Sequence, residues 1–177
     1  MTPEFSRPHR LDQIGAGEAE VELSADAAER TALARRFALR AIDRLDARLT
    51  IRRDASGVIA RGHLSGAVTQ SCVVTDEPVP AKIEEDFAIR FVPEPSDVSD
   101  STDEVELSED ECDTVFYTGS AIDLGEAAAE TLALALDPFP RSPNAAAALK
   151  EAGVIGEEEA GPFGALAALR DKLGKKS

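Results

Sequence analysis

Tryptophan is absent from the 177 residues, tyrosine occurs once, and aromatics make up only 5% of the chain. Any core must therefore be assembled from Ala, Leu, Val and Ile, and stacking platforms for unpaired bases are scarce. No run approaches the roughly 18 consecutive apolar residues of a membrane span. Residues 1–10 are polar and lack the apolar centre of a signal peptide. The two cysteines, Cys72 and Cys112, stand far apart in the sequence and read as reduced thiols in an unsecreted chain. The expected compartment is the cytoplasm, with no membrane partner, no small-molecule substrate and no cofactor.

Positive charge is also in short supply. Nineteen Lys and Arg face 34 Asp and Glu, for a net charge of −15. Indiscriminate binding to nucleic acid is excluded, because phosphate contacts need clustered cations. The distribution says more than the total. Residues 1–70 carry 11 basic and 10 acidic side chains, residues 71–140 carry 2 and 19, and residues 141–177 carry 6 and 5. The acidity sits in the middle, so a basic surface elsewhere remains open.

What is present fits one domain with appended segments. A chain of this size buries roughly 70% of the surface that its unfolded form exposes, so it needs no metal or disulfide staple. Residues 1–18 hold Pro3, Pro8, Gly15 and Gly17 and are expected to form an extended arm. A short strand at 19–23 follows. Asp26, with Glu29 three positions on, makes a capping-box pattern for a helix running to about Ala38. Leu45, Ala47, Leu49 and Ile51 then alternate with charged residues, as on a half-buried strand. Asp54-Ala55-Ser56-Gly57 is a turn. Val58, Ala60, Leu64, Val68, Cys72 and Val74 share one face of a second strand, and Ile83, Phe87, Ile89 and Phe91 one face of a third. Three such strands joined by short turns make an antiparallel meander.

Residues 93–113 are rich in Asp, Glu and Ser and predict a mobile acidic loop. A short strand at 114–117 and a helix near 124–136 follow, the latter stopped by Pro138 and Pro140. Residues 142–160 read as a linker, and 162–173 as a short terminal helix. The expected fold is α+β, with an antiparallel β-meander sheet of three to five strands packed by two main helices. The organisation is an arm at 1–18, a domain at 19–141, and a linker with its C-terminal helix at 142–177.

Three constellations could carry chemistry. Asp123, Glu126 and Glu130 share a helix face and would suit a metal or acid–base cluster, hence a metal-dependent hydrolase. Acids in a first turn also answer the helix dipole, Asp123 suits a cap, and no histidine lies nearby in sequence, so the structural role is the favoured reading. Cys72 has no zinc partner at C-x-x-C spacing, because the segment reads Cys72-Val73-Val74-Thr75. It reads as a buried structural thiol on the strand face. Arg35, Arg36, Arg40, Arg44, Arg48 and Arg52, with Arg30 and Arg53, fall within one helix–strand unit. They form either a phosphate-facing stripe or a solvated face paired with Asp43 and Asp46.

Two segments carry a resemblance. One is Cys72-Val73-Val74-Thr75-Asp76-Glu77-Pro78-Val79, followed by Ile83, Phe87 and Phe91. The other runs from Ile122-Asp123-Leu124-Gly125-Glu126 through Glu130 to Asp137-Pro138-Phe139-Pro140-Arg141. In this order, about an acidic stretch, they resemble the YceD family of large ribosomal RNA subunit accumulation proteins, as do Pro162-Phe163, Leu166 and Leu169. The resemblance implies a non-catalytic part in large-subunit (23S) ribosomal RNA accumulation, and plastid relatives are associated with that RNA and its processing. It implies the RNA, a basic large-subunit ribosomal protein, or both as partners. Asp123, Gly125, Glu126, Glu130, Asp137, Pro138, Arg141, Cys72, Glu77 and Pro78 are its candidate interaction residues. Many relatives carry Cys-x-Arg-Cys where this chain ends in Thr75, so a zinc or thiol-pair role does not transfer.

Overall fold

A computed structural model describes residues 3–94 and 112–154. Nearly all of the expected acidic loop, and the expected terminal helix at 162–173, lie outside the described residues. The chain divides into two units. The first comprises Met1–Gln70 and Pro80–Pro138, the second Ser71–Val79 and Phe139–Ser177.

The first unit is built on a five-stranded sheet of order β2-β3-β4-β5-β6: Ala19–Ser24, Ala41–Asp54, Gly57–Ser71, Pro78–Pro93 and Asp113–Tyr117. Strand β2 pairs antiparallel with β3, and β3 with β4. Strand β6 departs from the all-antiparallel expectation by joining β5 in parallel. Helix α1, Ala27–Arg36, starts at the expected capping box: Asp26 accepts from Glu29 N at 2.9 Å, and Glu29 accepts from Asp26 N at 2.8 Å. Its far end closes in a Schellman turn. Ala38 adopts φ 54°, its N–H reaches Arg35 O, and Leu39 N–H reaches Ala34 O.

Leu45, Ala47, Leu49 and Ile51 of β3 are buried, as their alternation predicts. Ile42 is buried too, although it is out of phase with them. A register shift between Ile42 and Arg44 resets the alternation. Leu33 and Ala34 of α1 join the same core, as do Ala127, Ala128, Ala129 and Leu132 of helix α2, Leu124–Ala135. Gly66 in β4 makes room for α2, since a Cβ there would stand 3.3 Å from Leu132 Cδ1.

The N-terminal arm is extended but also packed. Phe5 is only 1% exposed and belongs to the core. Strand β1, Pro8–Arg10, pairs antiparallel with β7, Ala121–Asp123, in a separate two-stranded sheet. In the second unit, helix α3, Ala145–Glu151, forms within the stretch read as linker. Its run of four alanines from Ala145 to Ala148 has high intrinsic helix preference, although it shows no strong amphipathic pattern.

Candidate functional site

At the start of α2, the motif Ile122-Asp123-Leu124-Gly125-Glu126 fastens the arm. Asp123 is the N-cap, and its Oδ1 accepts from Gly125 N at 3.0 Å and Glu126 N at 3.1 Å. The same carboxylate accepts Arg7 N at 2.7 Å and Ser6 Oγ at 2.5 Å. Leu124 N–H donates to Arg7 O. The arm backbone lies so close that a Cβ on Gly125 would stand 2.5 Å from Phe5 O and 2.9 Å from Arg7 N. Arg7 then grips Glu29 of α1 with both terminal nitrogens, at 2.6 and 3.0 Å. That pairing holds the Glu29 carboxyl below its ordinary range.

Glu126 is held in the same manner. Arg36 donates to its two oxygens at 2.7 and 3.0 Å, and also to Glu4 at 3.0 Å. Glu130 is exposed one turn on. The cluster anticipated for metal or acid–base chemistry thus has Asp123 capping and Glu126 ion-paired. Among the described residues, no group of three or more His, Cys, Asp or Glu is placed to hold a metal ion.

In the second unit, Cys72 is 3% exposed, but it sits in the turn beyond β4 and not on the strand face. Val74 N and Thr75 N donate to its Sγ at 3.4 Å each, and Ser142 N does so at 3.2 Å. Burial pushes the thiol up, yet backbone and side-chain hydrogen bonds from Ser142 and Thr75, led by the Ser142 N–H, outweigh it and bring the pKa down to about 6. Glu77 accepts from Thr75 Oγ1 at 3.0 Å and Asn144 Nδ2 at 2.9 Å. The hydroxyl of Ser142, followed by Asn144 and Thr75, holds the Glu77 carboxyl below its ordinary value. Pro78 begins β5. Arg141 is exposed in this unit, while Asp137 and Pro138 are exposed in the first.

The arginines separate into two groups. Arg44 and Arg48 lie on the outer face of the sheet, around an open recess of about 760 Å³ that is also lined by Glu22, Asp46, His63 and Glu84. Arg44 donates to Ser65 Oγ at 2.6 Å and lies 3.7 Å from Glu84 and 3.9 Å from Asp46, while Arg48 meets Glu22 at 3.1 Å. Arg52 follows four residues on along β3. The second group gathers at the end of α1, where Arg30, Arg35 and Arg40 line a recess of about 260 Å³. Arg36, on the same helix, is turned to the α2 start.

Sequence reasoning missed several partners. Ser6 and Arg7 meet Asp123 across more than a hundred residues, and Ser142 and Asn144 meet the Cys72 turn across about seventy. No local pattern reports either pairing. His63 bridges Asp86 through Nδ1 at 2.6 Å and Glu84 through Nε2 at 2.9 Å. Its place on the charged strand face was legible, but its two carboxylate partners were not.

A family model described as Large ribosomal RNA subunit accumulation protein YceD matches residues 60–170, which takes in both resembling segments. No curated protein and no solved structure gives a significant match.

Proposed function

Because the chain belongs to the YceD family, we propose that it supports accumulation of large-subunit ribosomal RNA as an assembly factor that binds and does not catalyse. The family match carries this reading, since it spans the Cys72 turn and the α2 motif together. The structure supports the non-catalytic part. The acids on which a hydrolase would rely are engaged elsewhere, Asp123 by backbone and side-chain donors and Glu126 by Arg36. The partner in this reading is the ribosomal RNA itself, met by part of the arginine-rich helix–strand unit, in the cytoplasm.

A second reading makes the protein an adaptor that holds a basic ribosomal protein without touching RNA. The 19 acidic and 2 basic side chains of residues 71–140 favour it. Crosslinking in growing cells, with sequencing of joined RNA and identification of joined proteins, separates the two. Large-subunit RNA joined near the arginine-rich unit is the expected result. Recovery of ribosomal proteins without RNA transfers the function to the adaptor, and recovery of neither removes both.

A further inference from the structure

The five-stranded sheet ends on β2 at one side and on β6 at the other. An edge strand presents a row of backbone N–H and C=O groups that can take a further strand. Beside β2 the arm intervenes, since Arg7 Nη2 donates to Ser24 O at 3.1 Å. That strand also carries the exposed charges of Glu20 and Glu22, which discourage pairing. Among the described residues, no strand meets the outer side of β6.

The phase of β6 follows from its pairing with β5. Glu94 N–H donates to Tyr117 O at 3.0 Å, and Tyr117 stands opposite Pro93. Backbone groups alternate sides along a strand, so Asp113, Val115 and Tyr117 turn theirs to β5, while Thr114 and Phe116 turn theirs outward. Side chains alternate as well. Val115 and Tyr117 pack against the core, whereas Thr114 is exposed and Phe116 is 60% exposed. The edge thus joins two outward peptide groups to a large apolar ring, with no charge on either residue to repel a new strand. Charge decides which kind of strand fits. From Glu94 to Asp113 the sequence holds 10 acidic and no basic side chains. Asp113 and Glu94 stand exposed at opposite ends of the β5–β6 ladder.

Resting on the adaptor reading for the partner's origin, we propose that β6 takes an extended, basic segment of a ribosomal protein as a sixth strand, held by the outward peptide groups of Thr114 and Phe116. Main-chain hydrogen bonds supply the affinity in this mode, and the Phe116 ring packs against an apolar side chain of the incoming strand. The surrounding acids steer a basic segment in and turn an acidic one away. Recognition therefore reads extension and positive charge, and it tolerates differences in sequence.

The test uses the full chain and two synthetic peptides of about eight residues, enough to cover a strand. One alternates lysine with valine. The other carries as many lysines separated by pairs of prolines, so that neither side of its backbone offers a full ladder. The valine peptide is expected to bind, to weaken with added salt, and to slow amide hydrogen exchange at Thr114 and Phe116. The proline peptide is expected to bind about tenfold more weakly or worse. Phe116→Pro deletes an N–H that faces away from β5, and Phe116→Lys removes the ring and adds repulsion. Each should lower the affinity for the valine peptide about tenfold. Thermal melts accompany both variants, and Phe116→Lys serves if the proline variant melts early. Equal binding of the two peptides overturns the sixth strand in favour of a diffuse acidic field. Absence of valine-peptide binding overturns it too, as do wild-type affinity in Phe116→Lys and exchange protection confined to other amides. In growing cells, ribosomal proteins crosslinked equally to wild type and Phe116→Lys overturn the edge while leaving the adaptor standing. Peptide binding at the edge with no ribosomal protein recovered from cells overturns the adaptor, and with it the ribosomal origin of the strand.

Discussion

The start of α2 and the end of α1 are both rich in charge, yet they put it to opposite use. At α2, every acid that the motif brings into the first turn has an assigned partner: Asp123 takes four donors and Glu126 a forked arginine. The region is closed, and its carboxylates hold the arm in place. At α1, the arginines line an open hollow with no acid in its walls. The motif that looked most like a catalytic or metal site is spent on fastening the arm. A charged pattern becomes a candidate site only after its internal partners are counted.

The sharpest way to break this contrast is to open the fastening without touching the hollow. Gly125→Ala places a methyl 2.5 Å from Phe5 O and 2.9 Å from Arg7 N, both backbone atoms that cannot swing aside. The arm must lift or α2 must shift, at a cost of about 3 kcal/mol, the upper end of ordinary overpacking. Urea unfolding should report that loss, and limited proteolysis should cut the arm near Arg7 and Arg10 sooner. The salt slope of RNA binding should stay at its wild-type value. A variant as stable as wild type would mean that the arm does not need the close approach. A variant with a lowered slope would mean that the two regions are not independent.

Much of the fold was legible because its signals are local. The Asp26–Glu29 capping box, the alternation of Leu45, Ala47, Leu49 and Ile51, and the prolines after α2 all act over a few residues. The bulge between Ile42 and Arg44 shifts the alternation by one, so the burial of Ile42 could not be read from the pattern of Leu45, Ala47, Leu49 and Ile51. Strand β6 follows the acidic stretch, and nothing local told whether it would pair parallel or antiparallel. The candidate site was less legible. Asp123 was recognisable as a cap, but its hold on Ser6 and Arg7 depends on a fold that returns the arm to α2. Cys72 was rightly expected to be buried, whereas its acceptor role needs Ser142 from a distant segment. The arginines were legible only as a cluster in one helix–strand unit. Their division between two recesses required the third dimension.

A smaller effect, of opposite sign, sharpens the account of the α1 end. Ala38 holds φ 54°, the left-handed conformation that a Schellman turn requires at this place. A residue with a Cβ is disfavoured there by about 1–2 kcal/mol, and the methyl is exposed, so glycine loses little packing. Glycine also loosens the unfolded chain by about 0.4–1 kcal/mol. Ala38→Gly should therefore stabilise the protein by about 0.5–1 kcal/mol, read as a higher urea midpoint at unchanged slope. Because the turn that aims Arg40 is preserved, RNA binding should keep its salt dependence. A destabilised variant would show that Ala38 is not strained and that the turn is held by other means.

The smallest effect belongs to the outer sheet face, where charge is paired but exposed. Hydrogen bonds to Glu84 and then Asp86 raise the pKa of His63 above its ordinary value of 6.5. A raised pKa means that the folded state binds the proton more tightly than the unfolded chain does. The resulting stabilisation is complete below about pH 6.5 and fades as pH rises through the raised value. His63→Gln removes this dependence, so the melting temperatures of wild type and variant should differ most near pH 6 and converge toward pH 8. The side chain is half exposed, so added salt should shrink the difference further. Parallel melting curves at every pH would show that the two carboxylates do not hold the imidazolium. The same variant tests the contrast between the two arginine groups. If the outer face is already internally paired, removing its histidine should leave the RNA salt slope where it was, and a lowered slope would return that face to the list of phosphate contacts.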